Sequence, residues 1–185
     1  MNNRSVFAFA VALMFGFSAL HASAQKDPMV GGAAMYPTKN IVENAVNSKD
    51  HTTLVAAVKA AGLVDTLEGP GPFTVFAPTN EAFEKLPAGT VDTLLKPENL
   101  AQLKKILTYH VVAGKLTAKD IAKQIKAGGG KATLTTVEGG TLTATMQGGK
   151  LALTDEKGGT ATVTIENVYQ SNGVIDVIDT VLMAN

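Results

Sequence analysis

Few side chains in this chain have the chemistry that catalysis requires. Beyond an apolar N-terminal segment there are two histidines, His51 and His110, two serines, Ser48 and Ser171, and no cysteine anywhere. A serine nucleophile needs a histidine base beside it and an acid that orients the histidine. A set of Ser171, His110 and Asp176 can be written down, but no Gly-x-Ser-x-Gly turn supports it. The residue types therefore argue against a hydrolase.

The spacing of the potential metal ligands and carboxylates is equally uninformative for catalysis. The two histidines are far apart, and neither lies in an His-x-x-x-His or His-Glu-x-x-His pattern. Asp176 and Asp179 are three positions apart in a predicted strand, so their side chains point to opposite faces and cannot act as a catalytic pair. We expect no enzyme activity, no metal and no cofactor.

The first 24 residues have the features of a secretory signal peptide. Arg4 precedes the apolar run 6–20, and Ala-Ser-Ala at 22–24 offers small residues for cleavage. The alternative is an uncleaved anchor helix, but the apolar run is short for a membrane span. We predict export, with cleavage after Ala24, to the periplasm, the cell surface or the medium.

The composition of the remaining chain excludes several classes of partner. Without Arg4 it carries 15 basic and 16 acidic side chains, and no basic run suggests nucleic acid or a lipid surface. No later segment is apolar enough to enter a membrane, so no membrane insertion is expected after cleavage. Export without disulfides suggests a bacterial protein that the packing of its core stabilises. No heptad pattern appears, and a monomer is the default.

Helical periodicity dominates the first half of the chain. Residues 25–36 are rich in Gly, Ala and Pro and predict a flexible arm, which precedes a single domain over 37–184. Apolar side chains then recur at helical spacing in four segments. The stripes are Ile41, Val42, Ala45 and Val46; Leu54, Val55, Val58 and Ala61; Leu100, Leu103, Ile106 and Leu107; and a helix after the capping box of Thr117 and Asp120.

One stretch, "FTVFAPTNEAFEKLP" at 73–87, changes abruptly from strand to helix. Phe73 and Val75 belong to a strand that Pro78 ends, because proline has no N–H for the ladder. Thr79 is placed to cap a helix that runs to Leu86. Every feature has a structural explanation, although Thr79 and its neighbour Asn80 are also candidates for partner contact at a rim.

The second half of the chain alternates with a period of two. Gly-Gly pairs at 139–140, 148–149 and 158–159 separate the alternating runs and predict tight hairpins in an antiparallel meander. The last run, 171–183, is dense in β-branched residues and predicts a central strand that is buried on both faces. Helices followed by strands indicate an α+β fold.

Three stretches together resemble the signature blocks of the fasciclin (FAS1) domain. They are "FTVFAPTNEAF" (73–83), "YHVVAGKL" (109–116) and "SNGVIDVIDTVLM" (171–183), in the order and separation of that family. The likeness covers about 37–183 and is strongest to small, exported, single-domain bacterial members. It implies a FAS1-like β-wedge of antiparallel or mixed strands with a helical layer contributed mainly by the N-terminal half. It also implies adhesion or extracellular interaction rather than a shared reaction.

The resemblance also singles out residues. Tyr109 and His110 form the Tyr-His pair that the family links to structural integrity and, in some animal members, to integrin-dependent adhesion. The alternative is that backbone partners satisfy both side chains inside the protein. Asn172 begins the Asn-Gly turn of the last block. Asp176 stands where the family commonly has His, and we expect it to face solvent or to be paired with a donor. Asn167-Val168 replaces the Asp-Ile of adhesive animal members.

These observations predict a non-catalytic, exported interaction or adhesion module. Its loops, held by a rigid β-wedge, would attach to a protein or polysaccharide at a cell surface or in an extracellular matrix. The alternative is a carrier that holds a small apolar ligand between the helical layer and the sheet.

Overall fold

The computed structural model describes residues 27–185, so the expected signal peptide lies outside the described residues. The strands are β1 (Met29–Val30), β2 (Ala33–Ala34), β3 (Phe73–Pro78), β4 (Val111–Ala113), β5 (Lys131–Thr135), β6 (Thr141–Gln147), β7 (Lys150–Thr154), β8 (Thr160–Gln170) and β9 (Gly173–Ile178). The α-helices are α1 (Ile41–Ala45), α2 (Thr52–Ala60), α3 (Val64–Glu68), α4 (Asn80–Glu84), α5 (Thr90–Leu94), α6 (Leu100–Tyr109) and α7 (Ala118–Ala127).

Seven strands form one sheet in the order β4-β3-β9-β8-β7-β6-β5. All neighbours are antiparallel except β3 and β9, which are parallel. The two edge strands approach each other, because Val112 bridges to Thr136 and the Val137 N–H donates to the Val111 carbonyl at 2.7 Å. The sheet therefore curls almost closed, and the predicted α+β wedge of mixed strands with a helical layer is confirmed.

Each face of the central strands packs against its own core. Val75 and Ala77 of β3 lie in the core beneath the N-terminal helices. Phe76, between them, lies in the second core, which the curled sheet shares with Ile121 and Ile125 of α7. Side chains alternate along a strand, so β3 contributes to both cores at once. Two cores are what allow a chain without disulfides to bury so many apolar side chains.

Strand β9 is the central, fully buried strand that the sequence predicted. It lies between β3 and β8, and all of its residues are buried. It ends at Ile178 rather than continuing through the β-branched run. The Asp179 N–H still donates to the Thr162 carbonyl of β8 at 3.2 Å, but the Thr162 N–H donates to the Asp179 side chain at 2.8 Å instead of to its backbone carbonyl. The rest of the run leaves the sheet but stays inside, with Leu182 completely buried.

The predicted helix caps and the Gly-Gly hairpin turn are present in the structure. Thr79 caps α4 by accepting from the Ala82 N–H at 3.3 Å, although α4 ends at Glu84, before Leu86. The Thr117–Asp120 capping box begins α7. Gly148 and Gly149 connect β6 to β7 with φ angles of +56° and +80°, which L side chains rarely adopt.

The segment before α1 differs from the flexible arm that its composition predicted. Strands β1 and β2 form a small hairpin, and Val30 of β1 and Met35, just after β2, are buried in the core beneath the helices. The Gly31 carbonyl accepts from the Lys49 N–H, which joins the hairpin to the chain before α2. Composition alone could not show this, because Gly and Ala fit a tight hairpin as well as a loose chain.

Helix α1 buries part of the predicted stripe: Ile41 and Val42 are buried and Ala45 is half-buried. Val46 lies beyond its end and is 47% exposed, whereas Asn44 is completely buried. The Asn44 amide donates to the Tyr36 carbonyl and to the Gln170 side chain, and its oxygen accepts from the Tyr36 N–H. An apolar stripe could not predict this, because the partners of Asn44 come from elsewhere in the chain.

The contribution of the α7 capping box to stability can be measured directly. Thr117→Ala removes the hydroxyl that bonds the Asp120 N–H and carboxylate, so we expect a loss of about 1 kcal/mol in the free energy of unfolding. Urea denaturation measures it. Thr93→Ala is the control, because the Thr93 hydroxyl makes no hydrogen bond within residues 27–185. An equal loss in both variants would contradict the capping role.

Candidate functional site

His110, the strongest candidate from the resemblance, is a buried connector between backbone segments. It is 3% exposed and follows the last turn of α6. Its Nδ1 lies 2.8 Å from the Ile106 carbonyl, and its Nε2 accepts from the Leu182 N–H at 3.0 Å. These partners fix a neutral ring with the proton on Nδ1. Neither nitrogen is free to act as a base, so the set of Ser171, His110 and Asp176 has no working histidine.

Burial keeps His110 uncharged. Desolvation lowers the pKa of its imidazole from 6.5 to about 4, against smaller opposing effects of the Ile106 carbonyl and the Asp155 carboxylate. Because the folded pKa is below the unfolded value, the proton binds the unfolded chain better. The associated stability, about 3 kcal/mol, is fully present above pH 6.5 and is lost as the pH falls towards 4.

Tyr109 occupies the second core and connects two hairpins. Its side chain is completely buried, and its hydroxyl donates to the Thr141 carbonyl at 2.6 Å. The same oxygen accepts from the Glu156 N–H at 3.2 Å. Gly140 lies so close that a Cβ there would be 2.7 Å from the Tyr109 ring. The Tyr-His pair is therefore enclosed, with backbone partners for each polar atom.

Asn172 holds three segments together at the turn between β8 and β9. Its Nδ2 donates to the Leu67 carbonyl at 2.7 Å and to the Gly69 carbonyl at 2.9 Å, at the end of α3. Its Oδ1 accepts from the Ile41 N–H at 3.1 Å, in the first turn of α1. The side chain is buried, and its amide oxygen and nitrogen are both engaged.

Asp176 is buried on β9 and has one paired oxygen. Its Oδ1 accepts from the Asn167 N–H at 2.7 Å, so the expected donor exists. Its Oδ2 is buried and has no hydrogen-bond partner within the described part of the chain. Asn167 sits in the β8 bulge with φ +58°, and its side-chain oxygen accepts from the Ala118 N–H at the start of α7. The sequence did not predict that the carboxylate would be only half satisfied.

The burial of Asp176 makes its ionisation unfavourable. Desolvation raises its pKa from 3.8 to about 6; the Asn167 N–H opposes this, and the Glu166 charge adds to it. The folded pKa lies above the unfolded value, so the proton binds the folded chain better. The associated stability, about 3 kcal/mol, is fully present below pH 3.8 and is lost as the pH rises through 6.

Thr79 and Asn80, the predicted rim residues, are half-buried. The Asn80 oxygen accepts from the Thr53 N–H at 3.1 Å and from the Thr52 hydroxyl at 3.2 Å. Its nitrogen donates to the Lys49 carbonyl at 2.9 Å. Asn80 therefore joins the start of α2 to α4.

A serine–histidine pair that the sequence analysis did not connect lies beside an apolar cavity. The Ser48 hydroxyl and His51 Nδ1 are 2.8 Å apart, both side chains are buried, and Nε2 has no hydrogen-bond partner among the described residues. Burial lowers the pKa of His51, against the Ala77 backbone and the Asp50 and Glu81 charges. Ser48 and His51 are three residues apart just before α2, and this spacing is the sequence feature that could have indicated the pair.

The cavity next to this pair lies between the helical layer and the sheet. Its volume is about 70 Å³, and its lining is almost entirely apolar, with Val58, Val75 and Ile175 among the walls. A drug-sized ligand needs several hundred Å³, so the cavity admits only a very small molecule.

Residues 27–185 contain neither a cluster of potential metal ligands nor a membrane-spanning helix. In that range no three His, Cys, Asp or Glu side chains converge as a metal site would require. Nor does any helix there have both the length and the apolar character for a membrane span.

Comparison with known proteins decides the family. The model of the Fasciclin domain matches residues 49–184. This chain belongs to the fasciclin family. The fold agrees: a FAS1 domain pair from the insect cell adhesion molecule Fasciclin I superposes with a TM-score of 0.69 at 20% identity, covering 78% of this chain and 51% of that one.

Curated bacterial relatives are similar over most of the chain. Protein sll1483 of Synechocystis is 46% identical, over 86% of this chain and 81% of its own length. Immunogenic protein MPB70 of Mycobacterium bovis is 41% identical, over 75% of this chain and 66% of its own. Cell surface glycolipoprotein MPB83 of the same species is 35% identical, over 88% and 63%. Fasciclin domains are cell-adhesion-related modules and generally lack enzymatic activity.

Removal of the Asn172 side chain should lower the free energy of unfolding far more than removal of an exposed amide side chain. Asn172→Ala leaves two carbonyls and one N–H without their partner, so we expect a loss of about 3 kcal/mol in the free energy of unfolding, measured by urea denaturation. Asn47→Ala, which loses one exposed bond to the Glu43 carbonyl, should cost about 0.5 kcal/mol. Similar losses would show that the Asn172 bonds do not hold the segments together.

The pH dependence of the free energy of unfolding should show the ionisation of the Asp176 carboxyl. Replacing Asp176 by Asn removes a group whose ionisation destabilises the fold as pH rises. We expect the difference in unfolding free energy to shift in favour of Asp176→Asn by about 2 kcal/mol between about pH 4.5 and pH 8. The contribution of His110 is common to both proteins and cancels.

Asp65→Asn is the matched control, because Asp65 is exposed on α3. An equal pH-dependent change with Asp65→Asn would mean a general effect of removing a carboxylate rather than an effect of the burial of Asp176. A flat difference for Asp176→Asn would show that the buried carboxylate does not titrate as its burial implies.

Proposed function

We propose that this protein is an exported, non-catalytic interaction module that attaches to a protein or polysaccharide at a cell surface or in an extracellular matrix. The family is adhesion-related, and one relative is a cell surface glycolipoprotein. The signal-like segment before the described residues supports export, after which the chain acts as a monomer by default. Neither nucleic acid nor membrane insertion is part of this proposal.

One observation supports the proposal most. The polar atoms of Tyr109, His110 and Asn172, which the family resemblance singles out, are bonded to backbone groups inside the protein. These residues fix the shape of the wedge, and the exposed loops and helices are left for recognition. Contact with integrin through Tyr109 and His110 is not part of the proposal, because both side chains are enclosed.

An attachment assay tests the proposal. The native cell is fractionated to locate the protein, and beads coated with the mature chain are added to cell envelopes, untreated or treated with protease or periodate. We expect the protein in an exported fraction and saturable attachment that only one treatment abolishes, which assigns the partner to protein or to polysaccharide. A cytoplasmic location, or no attachment above that of uncoated beads, would contradict the proposal.

A second candidate is a carrier of a small apolar ligand, supported by the cavity beside Ser48 and His51. Its volume of about 70 Å³ suits a ligand of only a few atoms unless the helical layer moves. Native mass spectrometry of protein purified from its host separates the candidates. A stoichiometric added mass supports the carrier, and a bare mass together with attachment supports the interaction module.

A further inference from the structure

A surface groove lies beside α4 and α5, next to the Asn80 contacts described above. It has a volume of about 300 Å³ and is formed by α4, the loop after it, α5 and the start of α2. We call it the α4–α5 groove. Its lining is mixed. Phe83 is buried and Leu86 and Val91 are half-buried, and the polar side chains of Thr53 and Asn80 are half-buried beside them. This volume accommodates one or two side chains of a partner.

The walls of the α4–α5 groove are fixed by hydrogen bonds. Asn80 joins the start of α2 to α4 through the Thr53 N–H and the Lys49 carbonyl. Between α4 and α5, the Leu86 N–H donates to the Phe83 carbonyl at 3.1 Å, and the Thr90 N–H donates to the Pro87 carbonyl at 3.0 Å. A groove held in this way is formed before a partner arrives, so little ordering cost falls on binding.

The charged side chains that line the α4–α5 groove are both acidic. Glu84 and Asp92 are exposed, and neither forms an ion pair with any residue that the structure describes. Lys85, the neighbour of Glu84, is directed elsewhere, because its Nζ donates to the Asp179 carbonyl at 2.6 Å. Lys96, four residues after Asp92, forms no ion pair with it in the described part of the chain. The apolar side chains of the groove are therefore flanked by two carboxylates that form no ion pair within residues 27–185.

We propose that the α4–α5 groove binds a peptide segment of a partner protein in which an aliphatic side chain stands next to lysine or arginine. The aliphatic group would pack on Phe83, Leu86 and Val91, and the basic groups would pair with Glu84 and Asp92. Charge complementarity of this kind selects a basic segment over an acidic one. This inference rests on the proposed interaction role and specifies the partner as protein.

The test uses the isotope-labelled mature chain and defined peptides in a nuclear magnetic resonance titration. The probe is the capped peptide Gly-Arg-Leu-Arg-Gly; Gly-Glu-Leu-Glu-Gly and Gly-Arg-Ser-Arg-Gly serve as counterparts. We expect saturable shifts confined to amides around the groove, with affinity about fivefold lower or more for either counterpart. Shifts that are spread over the surface, or that are equal for all three peptides, would overturn the inference. Cellotetraose represents a polysaccharide partner, and shifts at the groove with this oligosaccharide but with none of the peptides would also overturn it.

Charge reversal provides the matched variants. The double change Glu84→Lys and Asp92→Lys should weaken binding of the Arg-Leu-Arg probe about fivefold to tenfold. It should leave the fold intact, since both side chains are exposed and neither forms an ion pair within residues 27–185. Two control changes on α3, Asp65→Lys and Glu68→Lys, reverse the same charge on exposed side chains outside the groove. They should leave affinity unchanged; equal weakening in both proteins would mean a general charge effect and would refute the groove.

The outcome separates this inference from the proposed function. The Glu84→Lys, Asp92→Lys protein is also used in the envelope attachment assay. If probe binding fails but attachment persists unchanged, the groove inference is wrong and the interaction role stands. If the original protein shows no attachment either, the interaction role itself is wrong. Attachment that protease abolishes and the double variant lacks supports both.

Discussion

The burial of β9 on both faces is the constraint on which the rest of the structure depends. A strand with no solvent-facing side must have hydrogen-bonding neighbours on both edges and a core on each face. Strands β3 and β8 are the hydrogen-bonded neighbours of β9. The N-terminal helices cover one of its faces, and the curled sheet with α7 covers the other. The turn before β9 is fixed in the same way, because Asn172 is bonded to α1 and to the end of α3.

Two buried ionisable groups oppose each other in this arrangement. His110 is neutral and fully bonded, so its burial stabilises the fold at neutral pH relative to acid pH. Asp176 has one oxygen without a partner among the described residues, so its ionisation at neutral pH works against the same fold. A protein without disulfides tolerates such a carboxylate only if the surrounding packing supplies the difference. The Asn167 contact to α7 gives the carboxylate a structural use, since it fixes the β8 bulge.

Much of the fold followed from local rules, and the parts that did not depend on distant partners. The strand-to-helix change at Thr79, the capping box at Thr117 and the Gly148-Gly149 hairpin involve neighbours in sequence, and each was predicted. Contacts between distant segments were not predicted: Asn44 meets Gln170, and the hairpin before α1 meets the chain before α2. Of the candidate site, the residues were identified but their partners were not, because a backbone carbonyl or N–H carries no side-chain signature.

The sequence by itself determined the fold class, the central strand and the family, because periodicity, glycine placement and three signature blocks are local properties of the chain. Only the tertiary structure decided what those blocks do. It enclosed Tyr109 and His110, left one oxygen of Asp176 without a partner in residues 27–185 and formed the α4–α5 groove, since burial and pairing depend on which distant segments meet.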